Sequence, residues 1–494
     1  MTLAAKVAKN TLIQISGKMI STFLGLFSLA LMTRYLGQDG FGEYTTVITF
    51  LTFFAVIADL GITLITAQMI GREKDKAKEN KILNNLFSLR LVSAILFLAL
   101  APITVVFFPY SATVKLGVVI AAISFIFPAM SQVLVGLFQK RLSMDRVSMA
   151  EIASRVILII SVMTAIEMNS GLNGILVATI ISAASSFIFH YFFSLKFTTI
   201  KFAFDLSLWK SILTKSWPLM ITIVLNLIYL RADTLILSVF RSSGEVGLYG
   251  AAYKIIDVLT TLPFMFAGIT LPILTAYWLE KNHKGFKNML QKSFDFMAII
   301  AIPLVIGAQF LSDPIMTVVA GEDFAGSGII LRVLIFSVAA IFLGTIFSHA
   351  VVAIEKQREV IGFYLFTAIT SLVAYLYLVP KYSYFGAAGV TIYSEILIAC
   401  FSLYFVFKHT KFLPDLTVAL KSLLATAIMA IVIYSLPIQY QSTLGGLIIV
   451  LILAVLIYGI SLYYLGGIKP EELELLIKRK GKGGGQTYEP GTNF

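Results

Sequence analysis

Fourteen stretches of mostly apolar residues, parted by short polar segments, occupy this chain from Thr11 to Leu465. They fall at 11–33, 44–67, 86–108, 114–136, 147–166, 172–194, 214–240, 248–277, 293–311, 328–353, 359–379, 386–407, 417–437 and 443–465. About 20 apolar residues in a helix bridge a hydrocarbon core of about 30 Å. The pattern therefore predicts an all-α polytopic membrane protein with 14 transmembrane helices. The segments between stretches reach only about 20 residues, too short for a soluble domain. The stretch 147–166 is the most polar, since it carries Glu151 and Arg155.

Composition agrees with the pattern: 58% of residues are hydrophobic, 13% are charged, and mean hydropathy is +0.91. The distribution of charge adds an orientation. With the N-terminus inside, the cytoplasmic segments hold 28 Lys and Arg, with runs at 68–85 and 278–292, and the outward loops hold 4: Arg34, Lys115, Arg241 and Lys381. Positive charge collects on the cytoplasmic side. A missed span would reverse every later loop, so this split predicts an even number of spans and cytoplasmic termini. The net charge of +12 is mostly this bias and asks for no nucleic-acid partner; the basic loops suit anionic lipid. The first stretch is too long for a cleaved leader and lacks a small-x-small site. Cys400 lies within a span, which excludes an internal disulfide and reads as a helix or lipid contact.

The chain also looks duplicated. Gly42 and Tyr44, after the first stretch, recur 205 residues later as Gly247 and Tyr249, after the seventh. In both copies the next helix ends in a Lys-rich segment. Six helices separate the copies, and an even number gives both the same orientation, a parallel repeat. The expected domains are an N-terminal six-helix lobe at 1–200, a C-terminal six-helix lobe at 201–411, two extra helices at 412–468 and a cytoplasmic tail at 469–494. The lobes should enclose a central cavity. The tail starts with a charged segment, Glu471 to Lys480, and ends in a Gly-rich polar run.

Charge inside a membrane is costly, so each ionisable residue within a span is a candidate site. The cations are Lys18, Arg90, Arg155, Arg231, Lys254 and Arg332; the acids are Asp59, Glu151, Asp233, Asp257 and Glu395. So many imply a water-filled cavity. Glu151 and Arg155, at i and i+4, also read as a local ion pair. Arg90 and Arg332 lie within a turn of a membrane surface, where snorkelling explains them as well as function does. Arg231, Asp233, Lys254 and Asp257 are at similar depth and fit one cluster. Glu395 is mid-membrane without a partner on its own helix; it suits either a coupling ion or proton, or a structural carboxyl. No Walker motif, nucleophile–base set or metal spacing is present among the motifs, so no enzymatic chemistry, metal or cofactor is expected.

Several segments resemble the Wzx-type polysaccharide flippases, within the multidrug/oligosaccharidyl-lipid/polysaccharide exporter superfamily. They are Lys9-Asn10-Thr11, Thr33-Arg34-Tyr35-Leu36-Gly37 with Gly40-Phe41-Gly42-Glu43-Tyr44, Ala58-Asp59-Leu60-Gly61-Ile62, and Arg231-Ala232-Asp233 with Gly244 to Lys254. The resemblance implies two lobes, alternating access, a plasma-membrane location, and a sugar chain on a polyprenyl (di)phosphate carrier as cargo. Membrane lipids and other polysaccharide-assembly membrane proteins are the partners it implies. Such a cargo needs Arg and Lys for its phosphates. Lys18, Arg231, Lys254, Arg90 and Arg155 are the candidate substrate-binding cations; Asp59, Asp233, Asp257 and Glu395 are the cavity acids or coupling candidates. A cation-coupled multidrug exporter of the same superfamily would favour an acidic cavity. A glycan polymerase or ligase would need a larger outward loop.

Overall fold

The computed structural model describes residues 3–73, 75–437 and 443–467. The tail expected at 469–494, with its charged segment from Glu471 to Lys480, lies outside the described residues. The described residues form thirteen α-helices and two short 3₁₀ turns, with no strand among them. In order the helices are α1 (Leu3–Asp59), α2 (Ile62–Arg72), α3 (Lys76–Thr104), α4 (Ala112–Lys140), α5 (Met144–Glu167), α6 (Gly171–Ser194) and α7 (Leu206–Phe240). They continue with α8 (Ser243–Leu279), α9 (His283–Ala320), α10 (Ser327–Ala353), α11 (Ile361–Thr410), α12 (Thr417–Ser435) and α13 (Leu444–Tyr464). All but α2 are long and apolar enough to cross a membrane, 12 in all among the described residues.

Two helices each join two of the apolar stretches. α1 has 57 residues and α11 has 50; drawn out straight at about 1.5 Å per residue, either would far exceed a bilayer. Each has one non-helical residue inside, Gly37 (φ 65, ψ −175) and Ser383 (φ 52, ψ −135). The chain doubles back at both. Phe363 packs against Phe401 with ring centres 4.5 Å apart, and the Tyr393 hydroxyl donates to Thr370 at 3.2 Å. Lys18 and Ile48 likewise line one cavity although 30 residues part them. Glycine takes the left-handed conformation at Gly37 without strain. At Ser383 the hydroxyl donates to Glu245, and Pro380 lies just before the turn.

The few cations assigned to outward loops sit at helix ends. Arg34 donates to the carbonyls of Val318 (2.7 Å) and Val319 (3.0 Å) near the end of α9. Arg241 donates to Pro380 (2.7 Å) and Val379 (3.3 Å) before the Ser383 turn. Lys115 donates to Val106 at 3.2 Å. The last carbonyls of a helix have no partner within it, and its dipole puts negative charge there. These residues answer that need, which outweighs the loop bias. Lys381 instead lies 3.9 Å from the centre of the Tyr377 ring.

The stretch 44–67 is not one helix. It breaks after Asp59 at Leu60 (φ 50) and Gly61 (φ 72), and Arg90 fills the break. Its guanidinium contacts Asp59 at 2.8 Å and donates to the carbonyls of Ala58 (3.0 Å) and Ala129 (3.2 Å). Arg90 is 5% exposed. The surface position expected for it from its place in the span is replaced by burial, because the broken helix leaves carbonyls that need a donor.

The segment between α6 and α7 lies along α3. The side chains of Asn84, Ser88 and Asn85 accept the backbone N–H groups of Lys201, Ala203 and Asp205 at 3.1, 2.8 and 2.8 Å. Lys81 pairs with Asp205 at 2.8 Å and holds its carboxyl below the usual carboxylate range. The largest core cluster runs through α7 to α11, around Tyr249, Phe286, Phe342 and Tyr375. α12 and α13 pack on α9 through Leu311, Met429, Ile433 and Val450, and the Tyr458 hydroxyl donates to the Ile299 carbonyl at 2.7 Å.

Candidate functional site

α1 packs against both α5 and α8. Between them, with α4 and α6, lies a cavity of about 560 Å³. Its charged lining is Lys18, Glu151, Arg155, Lys254 and Asp257. Helical spacing explains why these meet. Lys18, Ser21, Thr22 and Gly25 share one face of α1, and Glu151, Ser154 and Arg155 share one face of α5. Glu151 does not pair with Arg155. It lies 3.9 Å from Lys18 across the cavity, while Arg155 makes no ion pair among the described residues.

A second cavity of about 300 Å³ lies among α7, α8, α10 and α11. Arg231, Asp257, Asn226, His349 and Glu395 line it. Asp257 belongs to both cavities and forms part of the wall between them. It accepts from Arg231 at 2.7 Å, and Lys254 is 4.0 Å from its other oxygen. The Arg231 guanidinium also sits over the Tyr253 ring at 4.9 Å. Glu395 is 6% exposed, and its Oε1 has no hydrogen-bond partner among the described residues.

The candidates thus divide. Lys18, Arg155, Lys254 and Asp257 meet in the larger cavity; Arg231 and Glu395 reach the smaller one. Arg90 and Asp59 line neither and pair with each other at the break in the helix. Asp233 also lines neither. It is fully buried and accepts from the Tyr249 hydroxyl (2.6 Å), Thr391 (3.2 Å) and the Thr234 backbone. The cluster expected from Arg231, Asp233, Lys254 and Asp257 therefore forms without Asp233. Arg332 pairs with Asp313.

Attention to charge alone missed the hydroxyls. Thr179, Ser182 and Ser186 on α6 line the larger cavity. Their i, i+3, i+7 spacing is a polar stripe on a mostly apolar helix, and it is legible in the sequence. Also missed was the contact that closes the bundle at the Gly37 end. A Cβ on Gly42 would lie 1.7 Å from the Ser243 carbonyl oxygen, and one on Gly247 would lie 2.1 Å from the Gln38 carbonyl oxygen. The backbones of α1 and α8 touch there. Arg34 ties the same end to α9, and Gln38 donates to the Asp323 carbonyl.

Membrane-length helices around a charged internal cavity define a polytopic membrane protein with a polar site in its interior. The profile of the family described as "Polysaccharide biosynthesis protein" matches residues 7–278, and the chain belongs to that family. It is similar to the teichuronic acid biosynthesis protein TuaB of Bacillus subtilis, 25% identical over 320 residues that cover 63% of each chain. The match thus spans just under two thirds of that relative's length. It is also similar to the capsular polysaccharide biosynthesis protein CapF of Staphylococcus aureus, 21% identical over 376 residues, 74% of this chain and 90% of that one. The structure of the lipid II flippase MurJ in an inward closed conformation superposes with a TM-score of 0.73 at 18% identity, covering 95% of this chain and 99% of that one. At that identity the likeness speaks for the fold alone.

Proposed function

We propose that this protein is a flippase. It moves an oligosaccharide linked to a polyprenyl (di)phosphate from the cytoplasmic to the outer leaflet of the plasma membrane, by alternating access, for surface polysaccharide synthesis. The observation that carries this reading is the larger cavity, where Lys18, Arg155 and Lys254 face two carboxylates and a stripe of hydroxyls. The excess of cations suits phosphate, and the hydroxyls suit sugar. Its volume falls within the usual range of ligand sites. A multidrug exporter for cationic compounds would favour the opposite sign. The contact of Gly42 with Gly247 and the Arg34 clamp support a state closed at the outer end, which must part to release cargo outward.

The same reading has fourteen crossings, because the turns at Gly37 and Ser383 return the chain across the bilayer. Lobes at 1–200 and 201–411 then follow, with two extra helices at 412–468 and cytoplasmic termini. Support for the repeat comes from the glycine contact itself. Gly42 meets Ser243, and Gly247 meets Gln38; both partners are four residues before the other glycine, as a twofold axis between the copies requires.

Deleting the gene tests the function. Surface polysaccharide should disappear, and polyprenyl-diphosphate-linked oligosaccharide should accumulate in the cytoplasmic leaflet. Intact surface polysaccharide with heightened sensitivity to cationic drugs would favour the exporter instead. For the topology, reporters fused after residues 243 and 325 should report outside, and after 205 and 285 inside. One reversed sign breaks it.

A further inference from the structure

We propose that Asp257 is a built-in counter-anion that reserves Lys254 for a multiply charged phosphate and so keeps ordinary anionic phospholipids out of the cavity. The inference rests on the cationic cavity proposed above. A cluster of cations within a membrane is costly when empty, and it would attract any anionic head group, of which a bilayer holds a great excess. A resident carboxylate answers both problems. It neutralises the cations while the site is empty, and an incoming anion must displace it. A head group with one negative charge only matches what it displaces. A diphosphate brings more charge and wins the exchange.

The geometry fits an exchangeable pair. Two carboxylates elsewhere in this protein are held dry and tight. The side chains of Arg90 and Asp59 are 6% and 13% exposed at 2.8 Å, and Glu79, at 4%, accepts from Lys140 and Arg141 at 2.6 and 2.7 Å. Asp257 is 31% exposed; Arg231 holds it at 2.7 Å from the side of the smaller cavity, while its contact with Lys254 is stretched to 4.0 Å and is the one that can open. A solvated pair of this kind contributes little stability and parts easily. Asp257 also has somewhere to go. It forms the wall of the smaller cavity, where Asn226 and Thr260 offer polar groups. Displaced from Lys254, the carboxylate can turn into that space and stay with Arg231, which lines it too. Removing its charge should therefore strengthen phosphate binding and weaken selectivity together, whereas a merely structural acid would do neither.

The test uses the full chain in nanodiscs of phosphatidylcholine, with and without phosphatidylglycerol, and radiolabelled farnesyl diphosphate as probe. Asp257→Asn should bind the probe about tenfold tighter than wild type. Phosphatidylglycerol should compete with the probe in Asp257→Asn and not in wild type. Asp257→Glu, which keeps the charge, should behave as wild type. Should the Asn variant fail to fold, Asp257→Ser offers the same neutralisation in a smaller side chain. Equal or weaker probe binding in the neutral variants, or lipid competition unchanged from wild type, overturns the proposal. Lys254→Ala separates the two levels. Weaker binding there with no gain in Asp257→Asn defeats only the counter-anion, whereas wild-type binding in Lys254→Ala defeats the cationic cavity itself.

Discussion

Just past the Gly37 turn, α1 and α8 touch backbone to backbone at Gly42 and Gly247. Two turns further on, the same two helices part around the cavity of about 560 Å³ that Lys254 and Asp257 line. The first region is symmetric. The 205-residue offset carries Gln38 onto Ser243 and Gly42 onto Gly247, and these four residues make the contact reciprocally. The second is not. The same offset carries Lys254 onto Thr49 and Asp257 onto Thr52, and the Thr52 hydroxyl merely returns to the Ile48 carbonyl of its own helix. A closure between two equal halves poses the same packing problem to each, so both solve it with glycine. The proposed cargo, with a charged end and a sugar end, poses different problems to each half, so the charged pair on α8 has only threonines at the matching positions of α1, whose own cavity cation, Lys18, comes from before the Gly37 turn.

The largest expected effect sharpens the cavity side of this comparison through a charge that lies outside it. Arg90→Ala leaves Asp59 buried without its partner and should lower stability by about 3–5 kcal/mol, measured by thermal unfolding in detergent. The cavity cations, being wet, should show no such loss when truncated. Equal stability losses at Arg90 and Lys254 would erase the distinction between structural and functional charge drawn here.

Next comes the closure. Gly247→Ala places a Cβ 2.1 Å from the Gln38 carbonyl oxygen. Backbone cannot give way as a side chain does, so the variant should lose about 1–3 kcal/mol and hold the Gly37 end apart. Gly42→Ala should match it. Gly25→Ala, with nothing within 4 Å of its Cβ, is the control on the cavity side. Cysteine labelling near Gln38 should rise in the first two variants and not in the third. If Gly42→Ala and Gly247→Ala differ widely, the closure is not symmetric.

The smallest effect lies outside both regions. Lys81 and the Leu208 N–H hold the Asp205 carboxyl below its usual range. A depressed folded value means that this contact stabilises above the unfolded value of about 3.9 and that its contribution fades as pH falls through the folded value. Asp205→Asn should therefore unfold slightly earlier than wild type at neutral pH, and the two should converge in strong acid. A gap that persists there would show that the contact works through geometry and not through charge.

What the sequence revealed follows from what lipid demands. Backbone groups within the bilayer must be satisfied within the protein, for the most part in their own helix, so most of the apolar stretches are continuous and the helices legible. Ionisable residues in those stretches are rare enough to mark the interior, and Lys18, Arg155, Lys254 and Asp257 do converge on one cavity. Pairing was not legible, because it depends on which faces meet. Arg90 reads as a surface cation until the break at Leu60 and Gly61 gives it carbonyls to cap. Asp233 reads as a neighbour of Lys254, yet it turns toward Tyr249 and Thr391. The stripe of Thr179, Ser182 and Ser186 lay in plain view, but hydroxyls in a membrane helix often bond to their own backbone, so the pattern carried little weight without the cavity.

The central claim is that cations in the larger cavity carry the phosphate end of the cargo. A single charged contact to phosphate is worth about 1.5–3 kcal/mol, or about ten- to a hundredfold in transport where binding limits the rate. The direct measurement is flipping of a fluorescent polyprenyl-diphosphate-linked sugar by protein reconstituted in vesicles, comparing wild type with the combined Lys18→Gln, Arg155→Gln and Lys254→Gln variant. The account predicts wild-type thermal stability with flipping lost by more than a hundredfold; wild-type flipping by the triple variant would contradict it.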